Sequence, residues 1–284
     1  KNMIDALKKT TDSLKESKYA TSMHAYGNAL PEYAGATYYW DGGAAKWHVY
    51  LDYYCEQLNL GYLSYDYYPW MIKEDGSEYY KAGYIKSLST ARKVANKYKV
   101  PLWSFKQCGS IFETENYPMS VQKFLPNEDK FRWQMAIDMV YGVKGIQYFL
   151  LCGDALGYDE NIWEPGIDEY FGIFNAYTGQ PNRWFYYAKD FNNHLKNIQG
   201  VLMNSYHDGI IINGTVIEKS LIGEELIKSG TYHELSSVSG DTSWVGCYNY
   251  NGQTVLYVMN NSYENNGSVT LNFSDKYGYT VYQK

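Results

Sequence analysis

The sequence predicts an α/β fold, a parallel (β/α) barrel architecture over residues 1–202, followed by a small antiparallel β-sandwich over residues 203–284. Three observations lead there. Helix-type and strand-type patterns alternate through the first part, with strands about forty residues apart, and alternation of this kind means parallel strands joined by right-handed crossovers. The strand-to-helix connections are long and aromatic, whereas the helix-to-strand turns (18–19, 58–61, 99–100 and 142–144) are short. That asymmetry belongs to a barrel in which one rim carries function and the other stability. After about Val201 the pattern changes to short β-type runs separated by turn residues.

The elements follow in order. Ile4, Leu7 and Leu14 have helical spacing between lysines and predict a first helix to about Lys18. Residues Tyr19 to Tyr26 read as a strand ending in His24 and Tyr26, and a Gly- and aromatic-rich loop with Tyr38, Tyr39, Trp40 and Asp41 follows. Trp47, Tyr50, Leu51, Tyr54 and Leu58 form one helix face. The second strand is GYLSYDYYPW, residues Gly61 to Trp70, with Pro69 as its stop, and MIKEDGSEYY reads as loop. A helix carrying Ile85, Leu88, Ala91, Val94, Ala95 and Tyr98 leads to a third strand, Val100 to Gln107. A long loop with Glu113, Glu115 and Tyr117 then reaches Asn127, an N-cap, with Glu128 and Asp129 in the first turn where carboxylates suit the helix dipole. That helix stops at Gly142, and Gly145 to Leu151 is the fourth strand. The next loop carries Asp154, Tyr158, Trp163, Glu164 and Tyr170, and a last helix presents Trp184, Tyr187, Phe191 and Leu195 on one face.

The tail holds the runs GIIIN, HELSSV, SWVGCYNY, TVLYVMN, SVTLNF and YTVYQ. Asn251-Gly252 between two of them predicts a two-residue type I′ hairpin.

Composition narrows the function classes. The chain has 284 residues, is 45% hydrophobic and 20% charged, and so has the make-up of a folded globular protein. Its formal charge of −6, without a basic block, argues against nucleic acid as the partner. No apolar run is long enough to span a bilayer. Cys55, Cys108, Cys152 and Cys247 match no metal spacing and read as buried free thiols, so the redox compartment stays open, with secretion or the cell surface as the expected location. No phosphate-binding Gly-rich loop, nucleophile elbow or metal-spaced histidine pair is present, and no cofactor is expected. The 33 Tyr and 8 Trp against 10 Phe point to much amphipathic surface.

Strand ends collect the candidate site. His24, Tyr26, Asp66, Tyr68, Trp70, Gln107 and Tyr148 sit where parallel strands meet ligands. Flat rings with polar rims around a carboxylate suit a sugar, with Trp40, Trp70 and Tyr148 as stacking platforms and Asp66 as the leading acid. Trp163 and Glu164 add to the set from the rim loop. Taken singly, His24 is a structural histidine, Gln107 orients backbone, and Asp66 caps a helix. Convergence on one rim is what makes them a site.

The segments LSYDYYPW, PLWSFKQCG, FRWQMAIDMVYGVKGIQYF and GQPNRWFYYAKDFNNHLK together resemble the second half of the β-galactosidase-like clan-A glycoside hydrolases. The resemblance covers Lys1 to about Ile198 and implies that the four strands are strands five to eight of a (β/α)8 barrel. It implies a carbohydrate ligand and an N-terminal half of the barrel supplied by the same or another chain. It also implies an acid/base Glu upstream of Lys1 and a nucleophile at the end of strand seven, where this sequence has Phe105. Two expectations follow: a glycosidase acting through Asp66, or a barrel that binds sugar without cleaving it; apart from the resemblance, the alternation of strands and helices also allows a self-contained open α/β sheet of four strands with an unrelated ligand.

Overall fold

The computed structural model describes residues 2–17, 29, 43–58, 60–72, 77–81, 83–112, 120–122, 128–152, 172–174, 178–214 and 223–274. The expected strand from Tyr19 to Tyr26, the N-cap Asn127, the loop acids Glu113, Glu115 and Asp154, and the final run YTVYQ lie outside them.

Helix α1 spans Asn2–Glu16 and α2 Gly43–Leu58. Ile4 is buried from α1, and Trp47, Leu51, Tyr54, Cys55 and Leu58 from α2. The Tyr53 hydroxyl donates to Asp5 Oδ1 at 2.7 Å and ties the two helices together. Three parallel strands follow in chain order: β1 (Leu63–Tyr65), β4 (Leu102–Gln107) and β7 (Gly145–Phe149). Leu63 pairs with Leu102, Trp103 with Gly145, and Gln107 with Phe149. Ala29 bridges Tyr65 in parallel on the far side of β1.

Helices α3 (Tyr84–Tyr98), α4 (Glu128–Val140) and α5 (Arg183–Leu202) come between and after these strands. On α3, Ile85, Leu88, Ala91, Val94 and Ala95 are buried at helical spacing. Lys99 ends it in the left-handed region at φ 55°, with its N–H turned back to Ala95 O and Asn96 O.

Between strands and helices the structure differs from the sequence-based expectation. MIKEDGSEYY is not a plain loop, and the expected strand 61–70 is split: β1 ends at Tyr65, ahead of Pro69, and a new strand begins directly after that proline. β2 (Trp70–Ile72) and β3 (Glu78–Tyr80) form a hairpin, and β5 (Ser110–Phe112) with β6 (Ser120–Gln122) forms another. β2 and β5 pair in parallel, giving a four-stranded sheet of order β3-β2-β5-β6 at the carboxyl ends of β1 and β4. These strands are three residues each and carry no long period-two pattern, so no sequence signal marks them.

In the tail, β8 (Tyr206–Asn213), β10 (Ser243–Tyr250) and β11 (Gln253–Asn260) form one antiparallel sheet, and β9 (Leu235–Gly240) pairs with β12 (Val269–Phe273). SWVGCYNY and TVLYVMN pair antiparallel across Asn251-Gly252, whose φ values of 52° and 84° fit the type I′ turn. Val245 and Cys247 of β10 pack toward β9 and β12 with Leu235, Ile211 and Tyr232. Trp244 and Tyr248, of opposite parity, join the core that runs through the helices. β10 is therefore buried on both faces. Gly246 sits where a Cβ would meet the Val140 backbone at 2.9 Å, so only glycine allows β10 this close to α4.

Candidate functional site

Strand parity assigns two faces to the parallel sheet. One set of side chains meets the helices. The Tyr65 and Ser87 hydroxyls hydrogen-bond there. Lys106 Nζ lies 2.7 Å from Asp138 Oδ2 and donates to the Tyr84 hydroxyl at 3.1 Å, with Lys106 and Asp138 fully buried. Burial pushes the Lys106 ammonium down and the Asp138 carboxyl up, and their mutual attraction opposes both shifts.

The other set forms the face turned away from the helices, called the inner face below. Trp103 and Phe105 of β4, Gln147 and Phe149 of β7, Ser64 of β1 and the flanking Tyr62 share this parity. Tyr62 and Trp103 stack with centroids 4.2 Å apart and planes inclined by 20°. Gln147 Nε2 donates to Ser64 Oγ at 2.8 Å, a polar strap that links β7 to β1 across β4. Phe149 sits between Phe105 and Tyr68, at 6.4 and 5.7 Å. Gly145 is required here: a Cβ on it would lie 2.5 Å from the Trp103 ring. Tyr62, Trp103, Phe105, Gln147 and Phe149 are all half-buried, so the face offers apolar rings beside amide and hydroxyl groups without being closed over by the described residues.

The expected site residues divide. Asp66 and Tyr68 lie just past β1, where continuing its alternation counts them to the inner-face parity; both are nearly buried, and Tyr68 packs on Phe149. The Asp66 N–H donates to Ala29 O at 3.1 Å, and its negative charge reaches Lys106 and favours that group's protonated form.

Trp70 is not positioned as an open platform. It is 2% exposed, with Tyr80, Trp133 and Tyr263 packed edge-on at 5.5, 5.7 and 4.8 Å. Gln107 is equally enclosed. It accepts from Trp70 N–H at 3.2 Å and donates to Trp70 O at 2.6 Å, so its amide pins β2 to β4. Gln134 of α4 makes the same two-way contact with the Gln107 backbone. Tyr148 has the opposite parity. Its hydroxyl donates to Asn192 Oδ1 of α5 at 2.8 Å, its ring stacks on Phe131, and burial raises its pKa. The structure therefore turns Tyr148 away from the inner face and takes Trp70 and Gln107 up in contacts with each other. The reason is the alternation itself: Tyr148 falls on the helix side, and the amide and indole belong to the joint between the two sheets. His24, Tyr26, Trp40, Trp163 and Glu164 lie outside the described residues.

Tyr62, Ser64, Trp103 and Gln147 were missed. The signal was in LWSFKQ, where Trp103 and Phe105 alternate with Ser104 and Lys106. The polar parity is the buried one because α4 supplies Asp138, a partner that no local pattern reveals.

A separate cleft of about 770 Å3 lies between β7 and α5, walled by Ile146, Phe174, Phe185 and Leu195 with Lys189 and Lys196 among its lining residues. Among the described residues no group of three or more His, Cys, Asp and Glu side chains could hold a metal ion. Burial raises the Cys55 thiol to about 12 and Cys108 further, so neither is primed as a nucleophile. No described helix is long and apolar enough to cross a membrane. No family model, curated protein or solved structure matches the chain.

Proposed function

We propose that the inner face of the parallel sheet binds carbohydrate, as part of a glycoside hydrolase-like (β/α)8 barrel in which this chain supplies strands five to eight. The observation that carries this is the Tyr62–Trp103 stack beside the Ser64–Gln147 hydrogen bond. A sugar ring has apolar C–H faces and a hydroxyl rim, and this surface supplies a partner for each. Asp66, on the same parity, is the carboxylate that would accept from hydroxyls or take part in bond cleavage. A second polypeptide segment carrying the first four strands would complete the barrel, because glycoside hydrolysis uses two carboxyl groups and this face holds one among the described residues.

The alternative is a barrel that binds without cleaving. Phe105 favours it: the side chain at the position corresponding to the strand-seven nucleophile is an aromatic ring packed on Phe149.

Titration calorimetry of the full-length gene product against a panel of neutral oligosaccharides, beside a turnover assay, tests both readings. Trp103→Ala should weaken binding roughly tenfold, the worth of about 1.4 kcal/mol. If Asp66 is catalytic, Asp66→Asn should keep affinity and remove turnover. If the barrel only binds, it should lower affinity by about 1.5–3 kcal/mol, one hydrogen bond to a charged group. Unchanged affinity in Trp103→Ala would remove the inner face as the binding surface.

A further inference from the structure

His207 of β8 sits in the seam between the tail and the helices, and its surroundings are specific. Arg92 of α3 donates from Nε to His207 Nδ1 at 2.8 Å and from Nη2 to the His207 carbonyl at 3.2 Å. Tyr248 of β10 lies edge-on to the imidazole at 4.8 Å. Gly142, after α4, backs onto the ring so closely that a Cβ there would stand 2.6 Å from His207 Cγ. Both side chains of the pair are buried, at 7% exposure for His207 and 6% for Arg92.

We propose that the His207–Arg92 contact is an acid-sensitive latch holding the β tail against α3 and α4. The bond needs the Nδ1 lone pair. A protonated imidazole carries N–H groups on both nitrogens, so two donors would face each other at hydrogen-bond distance, each on a cation.

The other groups facing the pair do not relieve this. Glu225 acts on Arg92, and it accepts from Ser89 Oγ of α3 as well. Lys144, ahead of β7, adds a third positive charge whose ammonium caps the Leu202 and Ser205 carbonyls. Tyr141, Tyr206 and Tyr248 also surround Arg92, and the Val140 carbonyl favours the protonated form of His207 against the larger effects of burial and Arg92. Asp208, next on β8, is taken up by the Tyr232 hydroxyl. Burial first, and Arg92 second, hold His207 neutral, well below its ordinary value.

The sign follows from linkage. The closed seam keeps His207 unprotonated, while an opened one exposes a histidine of ordinary pKa near 6.5. Closure is fully favoured above that value and weakens by up to about tenfold for each pH unit below it. Opening would uncover Trp244 and Tyr248 on the helix-facing side of β10.

Hydrogen exchange of the full chain, read by mass spectrometry and corrected for the intrinsic pH dependence of exchange, tests this. Segments 206–213 and 243–250 should lose about fivefold in protection between pH 6.5 and 5.5 while segment 102–107 holds. His207→Asn, which keeps an acceptor near the Nδ1 position but does not titrate, should abolish the step. NMR of the His207 ring in the unsubstituted protein gives an independent reading: it should stay neutral until the tail opens and titrate together with that opening. A step that survives at full size in His207→Asn overturns the proposal. So does an unchanged tail down to pH 5.5, loss of protection in 102–107 alongside the tail, or a His207 that titrates near 6.5 with the tail still closed.

Discussion

Lys106 and Asp138 show what a single pair can do in this chain. A lysine near the end of a strand reads as exposed, yet both members are fully buried with 2.7 Å between them. Their attraction offsets desolvation only while both are present. Asp138→Asn leaves an ammonium uncompensated and should cost about 3–5 kcal/mol in urea unfolding. Replacing both together, as Lys106→Met with Asp138→Leu, should recover most of that loss, because neither charge of the pair then remains to be buried. Equal losses in the single and double variants would mean that the site depends on shape and not on charge. The same pair settles the orientation of β4. With Lys106 and Ser104 turned to the helices, Trp103 and Phe105 must face inward.

At the scale of elements, β7 and β4 fit because one position has no side chain. Gly145 lets the Trp103 ring lie across the neighbouring strand, where a Cβ would be 2.5 Å away. Gly145→Ala should cost about 1–3 kcal/mol through overpacking and displace the indole. The change should appear as an altered tryptophan emission and weaker oligosaccharide binding. Gly200 in α5 is the control, since nothing lies within 4 Å of its Cβ position. Gly200→Ala should stabilise by about 0.5–1 kcal/mol and leave both signals alone. Helices and strands β4 and β7 were legible at this scale because their pattern spans enough residues to stand out, and β1, itself three residues long, because it lies in the ten-residue run 61–70. The strands of the small rim sheet were not, since each is three residues long and is held by pairing across distant segments.

For the whole molecule, the seam between the parallel sheet with its helices and the tail is extensive. Tyr248 donates its hydroxyl to Met139 O, Trp133 Nε1 donates to Asn261 Oδ1 at 3.1 Å, and Trp70 meets Tyr263 at 4.8 Å. Trp244, Tyr248, Ile210 and Met259 belong to the same buried cluster as the helix faces. The chain should therefore unfold at neutral pH in one calorimetric transition, with calorimetric and van't Hoff enthalpies in agreement. Two resolved transitions at pH 7.5 would show that the sequence boundary near Val201 is also an energetic one. At pH 5.5 the latch predicts that the tail separates first.

The sequence by itself determined the alternation of helices and strands, the parallel pairing of segments 63–65, 102–107 and 145–149, and the hairpin at Asn251-Gly252. Each is written in local terms: periodicity, crossover length and residues that accept positive φ. Tertiary structure alone decided which face of each strand looks inward. It made Trp70 and Gln107 parts of a joint between sheets, turned Tyr148 toward α5, and brought Tyr62, Ser64, Trp103 and Gln147 together. The physical reason is that a strand offers two faces of equal standing, and the choice between them rests on partners such as Asp138 and Asn192, which lie more than thirty residues away in the chain.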